Sequence, residues 1–149
     1  MTVTKDKKTF TIEFRDPSDD SLYQTASFYL GITIVAFIAA LDQQDSFDNL
    51  VGIKSFSDRL AQESFEKILV VTKCDLTEGV VEDSVVEAAK NNVEAPLYRV
   101  SGQTGDGIPA LVDAIVDLLA AKVQASGPAK KEKKADKKGG EKKKGCLIL

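Results

Sequence analysis

Two short clusters hold the residues best suited to chemistry. Thr72-Lys73-Cys74-Asp75-Leu76 follows the apolar run Ile68-Leu69-Val70-Val71 without a gap, and Ser101-Gly102-Gln103-Thr104-Gly105-Asp106-Gly107 follows Leu97-Tyr98-Arg99-Val100. Both runs read as buried strands, and in α/β sheets ligands sit at the carboxyl ends of strands. A carboxylate such as Asp75 at that place can accept two hydrogen bonds from a flat donor edge, such as guanine offers at N1 and its exocyclic amine. A lysine beside it can lay its apolar stem along a ring. Taken alone, the first cluster is also readable as a solvated turn after a strand.

Composition narrows the field. The chain has 149 residues, two cysteines (Cys74 and Cys146) and no histidine. Without histidine, a His-based triad or a His-ligated metal is excluded. Two cysteines so placed give no disulfide framework and no zinc site. Charge is unevenly spread. Lys130 to Lys144 carries nine lysines against Glu132, Asp136 and Glu141, a net +6, so the remainder of a chain of net charge −3 carries −9. An acidic body with a basic tail argues against a nucleic-acid-binding domain, which would hold its basic residues on a folded face. It suits a tail that meets an anionic surface. The polar, strand-like start, MTVTKDKKTFTIEF, gives no secretory signal, so a cytosolic setting is expected.

The elements that must position the two clusters follow from periodicity. Residues 2–5 and 9–15 alternate and are rich in Thr, Val, Ile and Phe; with Asp6-Lys7 between them they predict a β-hairpin with Phe10, Ile12 and Phe14 on one face. Residues 16–26 are polar and contain Pro17, so a loop or short helix start is expected. The run 28–41, FYLGITIVAFIAAL, is too short and mixed to span a membrane and reads as a buried strand, as in parallel sheets covered on both faces. A helix is predicted over 46–64, with Phe47, Leu50, Val51 and Leu60 partly on one side. A strand follows at 68–71, a helix at 82–92 and a strand at 97–100. The last helix, 109–124, is the clearest. Ile108, Leu111, Val112, Ile115, Leu118, Leu119 and Val123 recur at three- and four-residue spacings, and Pro109 suits the first turn. A hairpin followed by strand–helix units predicts an α/β fold with a mostly parallel sheet flanked by helices.

With the elements in place, the two clusters gain a resemblance. TKCDL is similar to the guanine-specificity motif NKxD of Ras-superfamily small GTPases, and SGQTGDG looks like their SAKTGxG loop, with one helix and one strand between them as in that family. Working backwards, FYLGITIVAFIAALDQQDSFDNL resembles a stretch of the Rab branch in which a buried strand precedes a polar turn and an "SF" helix start. TVTKDKKTFTIEFRDPSD resembles the hairpin that ends in DTAGQ. The resemblance implies GTP or GDP as cofactor with Mg²⁺. Asp75 would hold the guanine edge, Lys73 would cover the ring, the Gly102 amide would meet the guanine oxygen, and Ser101 would brace the loop. Thr72 stands where the motif has Asn, and Gln103 where it has Lys.

Asp16-Pro17-Ser18-Asp19-Asp20 stands where DTAGQ would be. By the resemblance Asp16 would reach magnesium through water. Asp19 replaces the Gly whose amide meets the γ-phosphate, setting a carboxylate against phosphates. Asp20 replaces the Gln that orients the attacking water, so no catalytic residue is assigned and hydrolysis is not expected. No glycine in the chain begins GxxxxGK[ST], the loop whose amides and lysine cradle phosphates. The expected fold is therefore that of a P-loop small GTPase lacking its first strand and P-loop. In the family's sheet that strand lies between the counterparts of 10–15 and 31–38, which must here pair directly or expose apolar edges. A nucleotide-free pseudo-GTPase, a truncated chain and a fragment that needs a partner strand all fit.

The expected organisation is a truncated GTPase-like domain over 1–125, a disordered lysine-rich tail over 126–145, and a C-a-a-X prenylation box, Cys146-Leu147-Ile148-Leu149, over 146–149. The tail holds too few apolar residues to offset chain entropy. A final Leu favours geranylgeranyl on Cys146. One lipid binds only marginally, and the lysines of the tail supply the second signal toward an anionic leaflet. The lysine run also reads as a nuclear-localisation patch. The resemblance implies a prenyltransferase and protein effectors as partners, no nucleic acid, and a place on the cytosolic face of a membrane in vesicle traffic. A non-enzymatic membrane adaptor is the alternative.

Overall fold

The structure is a computed structural model and describes residues 1–5, 8–16, 25–61, 64–125 and 143–148. Strands β1 (Thr2–Lys5) and β2 (Lys8–Arg15) form the expected antiparallel hairpin, with Val3 opposite Phe10. Strands β3 (Ile34–Ala40), β4 (Glu66–Thr72) and β5 (Leu97–Arg99) run parallel, joined in register from Ile34 opposite Glu66 to Ala40 opposite Thr72 and from Leu69 opposite Leu97 to Val71 opposite Arg99. Helices α1 (Gln44–Asp48) and α2 (Leu50–Leu60) connect β3 to β4, α3 (Asp83–Val93) connects β4 to β5, and α4 (Ile108–Ala125) follows β5.

The strands alternate into two cores. On one face Val35, Phe37, Ala39, Leu69 and Val71 pack with Phe47, Leu50, Val86, Ala89 and Val93 of the three helices on that side. On the other, Ile34, Ala36, Ile68 and Val70 join Phe10 and Ile12 of the hairpin under Ile115, Val116 and Leu119 of α4. Burial on both faces is what the unbroken apolar runs of β3 and β4 require, and each large side chain so buried contributes about 1.5–3 kcal/mol. Among the described residues no buried side-chain nitrogen or oxygen lacks a hydrogen-bond partner.

Three expectations are corrected in detail. The run 28–41 is not one strand. Its first part is a 3-10 turn (Ala26–Tyr29), and Gly31, at φ +71°, turns the chain in a conformation open to glycine before β3 begins. The helix predicted over 46–64 is two, broken at Asn49 and ended where Ala61 becomes extended. Phe14 shares the alternation of Phe10 and Ile12 but is 42% exposed, because it lies outside the cluster that α4 covers.

The sheet order is β1-β2-β6-β3-β4-β5, where β6 is Lys143–Ile148. Thus β2 and β3 neither pair directly nor stand open. β6 runs parallel between them, from Phe10 opposite Lys143 to Arg15 opposite Ile148 on one side, with Ile34 opposite Leu147 and Val35 opposite Ile148 on the other. The edges of the sheet are then β1 and β5, of 4 and 3 residues, and short edges offer little template for further pairing. Of the tail expected to be disordered, 126–142 lies outside the described residues, while Lys143, Lys144 and Gly145, with Cys146, Leu147 and Ile148, form this strand.

Candidate functional site

The apolar β4 delivers Thr72 to the rim of the sheet, where the backbone must turn sharply. Lys73 makes that turn with φ +61°, an uncommon value for a residue with a side chain. Neighbouring strand ends hold it in place. Thr72 donates from Oγ1 to the Ala39 carbonyl (3.2 Å), the Leu41 amide donates to the Thr72 carbonyl (3.1 Å), and the Cys74 amide donates to the Val100 carbonyl (3.1 Å). These bonds lock the ends of β3, β4 and β5 to one another just below Asp75.

Ser101 is the second anchor. It is buried at 1% exposure, and its hydroxyl donates to Asp75 Oδ1 at 2.5 Å. The Ser101 hydroxyl oxygen in turn accepts the amides of Gln103 (3.2 Å) and Thr104 (3.1 Å), so one side chain fixes both the carboxylate and the following loop. The loop closes on itself, with the Ser101 amide on the Asp106 carbonyl and the Gly105 amide on the Ser101 carbonyl. Gly107 is required where it stands: φ is +74°, and a Cβ there would lie 2.1 Å from the Arg99 carbonyl oxygen.

Between the two loops opens a cleft of about 500 Å³ lined by Thr72, Lys73, Asp75, Leu76, Val100, Gly102, Gln103 and Ile108. Leu76 and Ile108 are part-exposed apolar walls, suited to a flat ring. Asp75, with one oxygen held by Ser101, faces solvent and can accept from a pair of adjacent N–H donors. All six base-site residues named from the sequence (Thr72, Lys73, Asp75, Ser101, Gly102 and Gln103) are brought together here; Ser101 lies beneath the cleft and the other five line it. The sequence reading missed Asp42. Its Oδ2 sits 2.7 Å from Lys73 Nζ and holds the lysine over the end of the sheet. Leu41-Asp42 follows an apolar strand much as Lys73 does, but no local pattern pairs it with a residue 31 positions on.

Asp16, which the resemblance sets near magnesium, stands apart from this cleft, as a residue serving the phosphate end of a nucleotide would. Register across β6 sets Phe14, Leu147 and Ile34 on one level. Asp16, two residues on, is level with Ala36, while the cleft opens beyond Ala40 and Thr72. Asp16 thus falls about 13 Å short of the cleft along the strands and about three strand spacings to the side. Among the described residues no three Asp, Glu, Cys or His side chains gather as a metal site. Asp19 and Asp20 lie outside the described residues. The donor set can therefore serve a flat base with adjacent N–H donors, and among the described residues no cluster of metal ligands adjoins it.

Helices on both faces of a largely parallel sheet, with a cleft between the loops after β4 and β5, define a small-GTPase-like α/β fold. Sequence comparison agrees. The chain is 28% identical over 110 residues to the Ras-related protein RIC1 of Oryza sativa subsp. japonica, covering 72% of this chain and 54% of that protein. It is 30% identical over 105 residues to the GTP-binding protein YPTM1 of Zea mays, covering 68% and 50%. It is 27% identical over 131 residues to the Ras-related protein RABD2c of Arabidopsis thaliana, covering 86% and 64%. No protein-family model matches. By sequence and fold the chain is a Rab-like relative of the Ras-superfamily small GTPases, and it spans about half to two thirds of the length of these relatives.

Proposed function

We propose that the cleft between the β4 and β5 loops binds the base of a guanine nucleotide, in a chain that works at the cytosolic face of a membrane in Rab-like traffic. The observation that carries the reading is the Ser101–Asp75 hydrogen bond at the mouth of the cleft. It pre-orients a carboxylate toward the one common base edge that offers two adjacent donors. Lys73, held by Asp42, covers one side of the ring, and the Gly102 amide lies at the rim for the carbonyl oxygen. Bound Mg²⁺ with the phosphates would supply charge neutralisation for phosphoryl transfer. Asp16 is the residue that would face it, and no catalytic role is assigned to it.

Base contacts without a phosphate cradle give weak binding. Titration of the full chain with fluorescent GDP and GTP, with magnesium, is expected to show affinity no tighter than the high-micromolar range, with guanosine binding about as well as GDP. Sub-micromolar, magnesium-dependent binding of GTP would overturn this assignment of the base side alone. A second reading, a non-enzymatic membrane adaptor, is favoured by the polar replacements at Asp19 and Asp20. It predicts no base affinity in the same titration.

The membrane end belongs to the same proposal. Cys146 is the lipid acceptor: its sulfur attacks the first carbon of a geranylgeranyl diphosphate held by a prenyltransferase. The C–S bond forms as the C–O bond breaks, diphosphate leaves, and the thiol proton passes to solvent. The lysines from Lys130 to Lys144 add attraction to an anionic leaflet, about 1 kcal/mol each near the surface. No described helix is long and apolar enough to cross a membrane.

A further inference from the structure

We propose that Lys143–Ile148 is an exchangeable strand that completes the sheet in cis, so that occupancy of the slot between β2 and β3 and modification of Cys146 exclude each other. The slot is defined by the sheet itself. β2 and β3 stand two strand spacings apart, and both present backbone donors and acceptors toward the space between them. Phe10 and Ile12 on one side, with Ile34 and Ala36 on the other, belong to one core under α4, so the two strands cannot separate without opening that core. A parallel strand is the element that satisfies both borders, in the manner of a peptide added to a sheet.

The occupant is this chain's own end, and its fit is unequal. Six residues of β6 pair with β2, but only Leu147 and Ile148 pair with β3. The ladder is therefore complete on one border and begun on the other, as expected of a strand that can leave. Seventeen residues, 126–142, connect it to α4; fully extended they reach at most about 60 Å, ample to return across a small domain. Cys146 lies inside the ladder, opposite Glu13. An enzyme that modifies a cysteine in a terminal box takes that segment as a free peptide, so the strand must withdraw first. The consequence for lipidation rests on the reading of Cys146 as the lipid acceptor. The strand itself does not.

The test is amide hydrogen exchange on the full purified chain. The amides of 144–148 are expected to exchange at least about tenfold slower than in the free peptide Lys142–Leu149, alongside those of β2. Exchange at the free-peptide rate, with β3 and β4 protected, would overturn the proposal. Gly145→Pro removes a donor and fixes φ within the strand. It is expected to bring 144–148 to the peptide rate and to speed geranylgeranyl transfer by a prenyltransferase, each normalised to the matching peptide; unchanged exchange in this variant would overturn it. Should Gly145→Pro unfold the body, the wild-type exchange pattern decides alone. Protection with a sedimenting monomer supports the strand in cis, whereas protection only in a dimer would overturn it in favour of exchange between two copies. If neither peptide accepts a lipid while the wild-type strand stays protected, the lipid reading fails and the strand stands.

Discussion

Ser101 donates its hydroxyl to Asp75 Oδ1 across 2.5 Å while its oxygen accepts the amides of Gln103 and Thr104, so a side chain 26 residues away in sequence sets the direction of the carboxylate. Ser101→Ala should therefore destabilise the fold by about 1–2 kcal/mol, because it removes a buried hydroxyl with three partners. It should also weaken guanosine binding without abolishing it. Urea denaturation and titration on the same preparation check both.

Asp75 is half-free and largely solvent-facing, so its replacement bears on binding rather than folding. Asp75→Asn keeps the shape but exchanges an acceptor for a donor, and the lost charge-assisted bonds should cost about 1.5–3 kcal/mol of guanosine binding, roughly tenfold or more in affinity. The midpoint of unfolding should hardly move. A variant that still binds guanosine as tightly as the original would remove Asp75 from the site.

Lys73 and Asp42 form an ion pair at the rim, with side chains 46% and 31% exposed. Such a pair contributes about 0–1 kcal/mol to stability. Asp42→Ala should leave the unfolding curve nearly unchanged yet release the lysine, so the base affinity should fall and lose the salt sensitivity that the ion pair confers. Titration at low and high ionic strength reads this.

Gly107 tolerates no side chain. Gly107→Ala sets a Cβ against the Arg99 carbonyl in a left-handed conformation, and the clash and strain together should cost more than about 2 kcal/mol. Gly102, with no heavy atom within 4 Å of its would-be Cβ and no positive φ, should accept alanine with little loss of stability. Thermal unfolding of the pair of variants gives the comparison.

A surface contact sets a pH dependence. Lys54 Nζ lies 2.9 Å from Glu94 Oε2. The hydrogen bond to Glu94 raises the lysine above its ordinary 10.5, and the hydrogen bond from Lys54 lowers the carboxyl below its ordinary 4.5. A lowered carboxyl contributes stability that is present above pH 4.5 and lost as pH falls through its folded value. A raised lysine contributes stability that is present below pH 10.5 and lost as pH rises through its folded value. The gap in melting temperature between the original and Glu94→Gln should thus be constant through neutral pH and close below pH 4.5. Salt should shrink it, since both groups face water.

The sequence by itself determined the parallel sheet and the meeting of the two strand-end clusters at one rim of it. The apolar runs of β3 and β4 can be buried only between two covering layers, the spacing along α4 places Ile115 and Leu119 on its inner face though it passes over the buried Val116, and Asp75 and Ser101 each stand within three residues of a strand's end. These are local signals, set by hydropathy period and by what stands at a strand's end. It did not determine Asp42, whose partnership with Lys73 joins residues 31 apart, nor the break at Gly31 within one continuous apolar run. Least of all did it determine β6. A segment of lysines followed by Gly-Cys-Leu-Ile reads as a solvated tail because its local composition offers no core to bury. Its place is decided by β2 and β3, whose facing backbone groups leave a slot one strand wide that only a distant part of the chain fills. Backbone pairing of that kind depends on where the rest of the sheet stands, and no local pattern of residue types encodes it.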